Sequence, residues 1–292
     1  MAATILDGKA MAAAIKEELR ERVDVLTQQG ITPGLATVLV GEDPSSHVYV
    51  RSKHRACAEI GIDSFRYDLA ADASREEVLE LIAGLNADPK VDGYLIQYPV
   101  PAHLDYSELI MAVDPAKDVD GLHPTNLGYL ALGATGHPRP GTPRAIVELL
   151  ARYKVPIDGR HVVIVGRGAT AGRPLAMLLS LKEPNGNATV TQCHTRTQFL
   201  PEFTRQADIL IAAAGRAGLI TADMVKPGAA VVDVGITRTE AGIAGDVAPD
   251  VREVAGWVAP VPGGVGPLTI VMLMRSAIEL AERRAAGDGG AR

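Results

Sequence analysis

The chain has 292 residues, 47% of them apolar and 22% charged, which excludes a disordered chain and suits one large domain or two ordinary ones. Its net charge of −6, with no long block of Lys or Arg, argues against nucleic acid and anionic membranes as partners. The two cysteines, Cys57 and Cys193, form neither a disulfide framework nor a zinc spacing and suit a reducing compartment.

The N-terminal stretch places acids within a helical pattern and lacks a secretory apolar core, and the apolar runs are only strand length. A cytoplasmic protein is expected. A helical pattern from Lys9 to about Gln29 leads into a short apolar strand at 34–41. "DPSSHVYVRSKHRACAEIGI" then opens a second helix, with Asp43 as a side-chain acceptor for free N–H groups, Pro44 at the first position and Gly61 as the stop. Along it Ser46, Tyr49 and Lys53 stand three and four residues apart and share one face. A hydroxyl, a phenol and an ammonium make a poor core face, so the stripe is either solvated surface or part of a site.

A polar strand follows at "DSFRYDL", then a helix over 74–86 whose Ser74 and Glu77 form a capping box. "VDGYLIQYPVP" (91–101) reads as a strand ended by two prolines. A Pro/Gly-rich connector at 135–143 closes this half, with Thr142 expected to cap a helix that Pro143 begins. "GRHVVIVGRGATAGRPLAMLLS" is next: a continuous apolar strand, a glycine turn and a helix begun near Pro174. Strands at 188–194, 207–215 and 229–236 follow, then a final apolar helix over about 268–284 and a loose tail. Strand alternating with helix predicts α/β architecture with mostly parallel sheets.

Gly166, Gly168 and Gly172 would let the backbone approach a pyrophosphate at a helix N-terminus, although their spacing is one residue longer than the usual dinucleotide fingerprint. A plain tight turn would read the same way. The next strand ends "TQCHTRTQ", with no acid to hold a ribose 2′-hydroxyl; Arg167, Thr195 and Arg196 either suit a 2′-phosphate or are solvated. Taken singly, Lys53 is a solvent-facing lysine, and Asp120 in "DVDG" is an Asx-type turn residue. None of the seven histidines pairs at a metal-ligand spacing with Cys or Glu.

The motifs occur in a definite order: "VGEDPSSHVYVRSKHRAC", "GYLIQYPVP", "DPAKDVDGLHPTNLG", "VVIVGRGATAGRP", "ATVTQCHTRT", "KPGAAVVDVGI", "GDV" and "PVPGGVGPLT". Together they resemble the bifunctional methylenetetrahydrofolate dehydrogenase/methenyltetrahydrofolate cyclohydrolase family over nearly the whole chain. The resemblance implies two α/β domains. One is an N-terminal folate domain over 1–140, completed by the last helix at 268–286. The other is a Rossmann-like domain over 141–267 that binds NADP.

It also implies tetrahydrofolate derivatives as substrates and a homodimer. Carried over by motif, Tyr49 would stack on the pterin and aminobenzoyl part, Lys53 would act at the reacting carbon, Gln97 would hold Lys53, and Asp120 would bind the pterin's amino edge. Ser46, Ile96 and Tyr98 fall in the same substrate site. Pro262, Gly263, Gly264, Val265 and Gly266 would approach folate and nicotinamide. Gly166, Arg167, Gly168, Thr195 and Ile236 take the cofactor positions. Gly168 replaces a frequent Ser, Gly141 a Cys, Tyr98 a Leu and Ala259 a Thr. These departures bear on cofactor preference and on the balance of the two activities.

The runner-up is another two-domain NADP enzyme, such as a shikimate-type dehydrogenase; a folate- or nucleotide-binding protein without turnover is the third reading.

Overall fold

The structure, a computed structural model, describes residues 3–240 and 242–287, without the side chain of Ser45. In chain order the elements are β1 (Thr4–Ile5), α1 (Gly8–Gln28), β2 (Gly34–Val40), α2 (Pro44–Glu59), β3 (Asp63–Leu69), α3 (Arg75–Ala87) and β4 (Gly93–Ile96). Three helices come next: α4 (Tyr106–Ala112), α5 (Pro124–Leu132) and α6 (Gly141–Arg152). Then follow β5 (His161–Val165), α7 (Gly172–Ser180), β6 (Thr189–Cys193), α8 (Leu200–Thr204), β7 (Ile209–Ala212) and β8 (Ala230–Asp233). A hairpin of β9 (Thr237–Thr239) and β10 (Gly242–Ala244), then β11 (Trp257–Ala259) and α9 (Val265–Ala285), complete the chain.

Backbone contacts divide the chain into two units. One contains Ala14–Tyr129, Ala134–Gly141 and residues 270–287. Its sheet has three parallel strands in the order β3-β2-β4. The central strand β2 is buried throughout, whereas the edge strand β3 alternates half-buried and exposed residues from Phe65 onward, as a strand with one covered face does. Val38, Ile82, Leu85, Tyr94 and Leu109 pack in its core.

Helix α2 starts where the cap chemistry dictates: the Asp43 carboxylate accepts from Ser46 N at 2.7 Å, Pro44 takes the first position, and Gly61 follows the end at φ +81°. Helix α3 carries the Ser74–Glu77 capping box.

Helix α9 is tied into this unit by charge. Arg22 forms a two-pronged contact to Glu282 at 3.0 and 2.7 Å. Arg284 donates to the buried carboxylate of Asp92 at 2.6 and 3.2 Å, and Asp92 also accepts from Gly34 N at 2.8 Å. Arg284→Ala leaves that carboxylate buried with one backbone donor. The variant is expected to lose about 2–3 kcal/mol of stability, the range between a charged hydrogen bond and a broken buried pair. A denaturation midpoint within error of the parent would show that Arg284 only decorates the surface.

The other unit contains residues 3–13, Leu130–Gly133 and Thr142–Thr269. Its six-stranded sheet runs β1-β11-β8-β7-β5-β6 with every pair parallel. Strands β7 and β8 are buried along their whole length and β5 from Val162 onward, so these strands read as uninterrupted apolar runs. Val163, Leu210, Val231 and Val258 lie in one core cluster of this sheet.

Several expectations shift. The expectation places the N-terminal residues in the folate domain, yet residues 3–13 group with the other unit because β1 pairs with β11, Thr4 opposite Trp257 and Ile5 opposite Val258. A two-residue strand is too short to carry a periodic signal. The strand expected over 91–101 ends at Ile96; Gln97 N still donates to Val38 O at 2.8 Å, but Pro99 has no N–H with which to extend the ladder. Helix α6 begins at Gly141, so Thr142 lies inside it, and α9 begins at Val265 rather than 268. Helix α7 begins at Gly172, two residues before Pro174. The tail beyond Gly287 lies outside the described residues.

Candidate active site

Of the three stripe residues on α2, Ser46 is buried and its hydroxyl donates to Asp43 at 2.8 Å, so it serves the helix cap. Tyr49 is 43% exposed and its hydroxyl has no partner among the described residues. Lys53 is half-buried, and its Nζ donates to Gln97 Oε1 at 3.1 Å. Gln97 is the first residue beyond β4. Its backbone is held by the sheet, and its amide Nε2 donates to Tyr98 O at 2.8 Å, which fixes the carbonyl oxygen toward the lysine.

Asp120 supplies the opposing charge without closing an ion pair onto Lys53. Burial lowers the Lys53 pKa, and the Asp120 and Cys57 charges work against that shift. Burial likewise raises the Asp120 pKa, with Lys53 opposing it. The Cys57 thiol, one turn along α2, is pushed up to about 12 by burial, which makes it an inert core group.

The loop bearing Asp120 is clamped by its neighbour. Asp118 is buried and accepts from Gly121 N at 3.0 Å, His123 N at 2.7 Å and Asn126 Nδ2 at 2.9 Å. Gly141 N donates to the Asp120 carbonyl at 3.2 Å. The turn-forming role therefore belongs to Asp118, while the Asp120 carboxylate has no hydrogen-bond donor among the described residues. Tyr98, 64% exposed, meets Tyr106 edge to face with ring centres 5.1 Å apart, and Tyr106 OH reaches Ile96 O at 3.4 Å. Tyr106 and Asp118 carry no spacing signal in the sequence. The Ile96 side chain is in the core and cannot meet a ligand itself.

In the six-stranded unit the glycine turn follows β5. Gly166 has φ +145°, its N donates to Cys193 O at 2.9 Å, and a Cβ there would lie 2.1 Å from Ala213 O. Only glycine fits. Helix α7 starts beyond the turn with no side-chain cap at Ala171; Arg173 N donates to Gly168 O at 3.1 Å and Pro174 has no N–H, which leaves the Gly172 N–H of the first turn for an anion. Arg167, Gly168, Thr195 and Arg196 are exposed at the ends of β5 and β6, and Ile236 follows β8 at 54% exposure. The open turn, the uncapped helix and the absence of an acid at the β6 end fit a phosphorylated dinucleotide. In the loop before α9, Pro262 is exposed, Gly263 half-buried and Gly264 buried, and in the first turn of α9 Val265 is buried and Gly266 exposed; Gly264 N donates to Pro260 O at 2.8 Å.

The family model for the tetrahydrofolate dehydrogenase/cyclohydrolase catalytic domain matches residues 6–120, and that for the NAD(P)-binding domain of the same enzymes matches 140–285. The bifunctional methylenetetrahydrofolate dehydrogenase/cyclohydrolase of Campylobacter jejuni is 45% identical, with a TM-score of 0.93 over 97% of this chain and 100% of its own. The 5,10-methylenetetrahydrofolate dehydrogenase of the silkworm Bombyx mori is 42% identical, with a TM-score of 0.92 over 97% of this chain and 99% of its own. The Trypanosoma brucei dehydrogenase–cyclohydrolase, solved with NADP and an inhibitor, is 37% identical, with a TM-score of 0.91 over 98% and 99%. These matches set aside the shikimate-type alternative: the chain belongs to the tetrahydrofolate dehydrogenase/cyclohydrolase family.

Proposed function

We propose that Tyr49, Lys53, Gln97 and Asp120 carry the folate chemistry of this enzyme, and that the Gly166–Gly168 turn with Arg167, Thr195 and Ile236 holds NADP. The chain oxidises 5,10-methylenetetrahydrofolate to the 5,10-methenyl form and hydrolyses that to 10-formyltetrahydrofolate, two steps of one-carbon folate metabolism. The observation that carries the residue assignment is the 3.1 Å hydrogen bond from Lys53 to Gln97.

In the first reaction a hydride leaves the carbon that bridges two folate nitrogens, whose lone pairs stabilise the cation. The chemistry supplied by bound NADP is hydride acceptance. The residues around the substrate have only to align it: Tyr49 offers an exposed ring for stacking, and Asp120 offers a carboxylate with free acceptor sites for the pterin's N–H donors. In the second reaction water attacks the methenyl carbon and loses a proton; the bond from that carbon to N5 then breaks, N5 takes up a proton as the carbinol O–H gives one up, and the formyl group is left on N10. Lys53, with its pKa lowered by burial, takes the proton that the water loses while one of its N–H groups stays on Gln97 Oε1. Glutamine cannot titrate, so it orients the amine without locking it as an ion pair. Tyr98 completes the substrate contacts, and Ser46 and Ile96 support them through the helix cap and the backbone.

NADP is preferred to NAD because β6 ends without an acid and Arg167 is exposed in the glycine turn. A charge-assisted contact to the 2′-phosphate contributes about 1.5–3 kcal/mol. Arg167→Ala should therefore raise the KM for NADP by about tenfold or more and that for NAD little. Equal increases for the two cofactors would remove Arg167 from the 2′-phosphate site. The enzyme works as a homodimer in the cytoplasm, in keeping with two free, buried cysteines; light scattering of the purified chain tests the dimer. The assay for the whole reading follows NADPH formation from methylenetetrahydrofolate and, separately, hydrolysis of preformed methenyltetrahydrofolate. Absence of both activities in folded protein would end it.

A further inference from the structure

We infer that Asp246, with Asp233 beneath it, is a positioning residue for the dinucleotide: it sets the two loops at the carboxyl ends of β7 and β8 without touching the ligand. The inference rests on NADP lying at the Gly166 turn.

Both carboxylates are buried and both are held by backbone N–H groups alone. Asp246 Oδ2 accepts from Ala214 N at 2.5 Å and Gly215 N at 2.9 Å, and its Oδ1 accepts from Arg216 N at 2.7 Å. Three successive amides of the loop after β7 thus converge on one side chain. The residue before them, Ala213, is the one whose carbonyl lies where a Cβ on Gly166 would go, 2.1 Å away. The position of this loop is therefore the position of the wall against which the glycine turn packs.

The same carboxylate governs the loop after β8. A Cβ on Gly235 would meet Asp246 Cγ at 2.1 Å, so the backbone beside Ile236 rests directly on the Asp246 side chain. Asp233, the last residue of β8, completes the lock. It accepts from Gly235 N at 3.1 Å, Asp246 N at 2.9 Å and Val247 N at 3.0 Å, and a Cβ on Gly245 would strike it at 1.9 Å. In parallel sheets of this kind ligands bind at the carboxyl ends of the strands. Three segments there, at 213–216, 233–236 and 245–247, are held in register by two side chains.

An asparagine at 246 has one acceptor oxygen and points an NH₂ at backbone donors, so the loop after β7 must shift. On the full-length chain, Asp246→Asn should raise the dissociation constant for NADP, measured by calorimetry, by about tenfold, the effect of losing one charged hydrogen bond's worth of placement. The KM for NADP should rise with it. The KM for methylenetetrahydrofolate and the hydrolysis of preformed methenyltetrahydrofolate should stay within about twofold, a split that a general loss of stability does not produce.

Should the asparagine variant not fold, Asp246→Glu, which keeps the charge but pushes it against Gly235, carries the same measurements. Gly166→Ala serves as the reference variant. If it loses NADP binding while a folded Asp246 variant binds normally, the inference is overturned. If both bind normally, the cofactor is not at the Gly166 turn, and the inference falls with that placement. Equal losses in hydrolysis and NADP binding would make Asp246 a general structural residue, against the inference.

Discussion

Lys53→Met is expected to abolish most hydrolysis of methenyltetrahydrofolate while NADP-dependent dehydrogenation remains measurable. Hydride loss from the methylene carbon needs no proton from the protein, because the folate nitrogens carry the developing charge. Water attack does need one moved, and a positioned acid–base group contributes about 10²–10⁴-fold. Methionine keeps the length and the apolar stem of lysine, so packing along α2 changes little.

The pH dependence follows from the direction of the shift. The reactive form is the neutral amine, so hydrolysis by the parent should rise with pH through a midpoint below that of an ordinary lysine, since burial lowers the Lys53 pKa. That rising limb should vanish in Lys53→Met. Removing the ammonium also removes the charge that opposes the burial shift on Asp120, so the variant's folate affinity should weaken more than the parent's as the pH falls. The decisive comparison assays hydrolysis and NADPH formation separately on folded protein. Surviving hydrolysis with collapsed dehydrogenation would reverse the role given to Lys53.

Asp120→Asn should depress both reactions together, by about 10²-fold in kcat/KM, as truncating one partner of a buried charge contact costs about 2–5 kcal/mol. The carboxylate has free acceptor sites on both oxygens; asparagine offers one oxygen and an NH₂ that repels the pterin's donors. Stability should hardly move, because the loop is clamped by Asp118 and by Gly141 N, neither of which uses the Asp120 side chain. Wild-type folate affinity in this variant would return Asp120 to an ordinary loop residue.

What could be read in the sequence depended on range. The caps of α2 and α3 and the buried strands β5, β7 and β8 follow from local chemistry and pattern; the caps stand where those features put them, while β7 and β8 lie inside the expected spans of 207–215 and 229–236 and are shorter at both ends. The Lys53–Gln97 contact joins residues 44 apart and has no periodic signature; in the sequence it is reached only as something the family resemblance implies. Two aspartates of one "DVDG" motif look alike as text. Which of them caps the turn depends on backbone direction, and the turn belongs to Asp118. Strand β1 and the β9–β10 hairpin are too short for hydrophobic alternation to show. The "GDV" motif is visible in the sequence, but its meaning lies in amides 30 to 32 positions upstream.

The pairing of β1 with β11 and the bond from Arg284 to Asp92 constrain how such an enzyme can be recombined. The two segments that the family models match look like modules that could be exchanged between relatives at a single junction near residue 140. They are not. A graft of 140–285 would bring its own β11 but leave behind the strand that lies along its edge, and a graft of 6–120 would carry Asp92 away from its guanidinium. A chimera that preserves both contacts must take the first residues of the chain with the later segment and α9 with the earlier one. Inheritance in this fold therefore favours whole chains over halves.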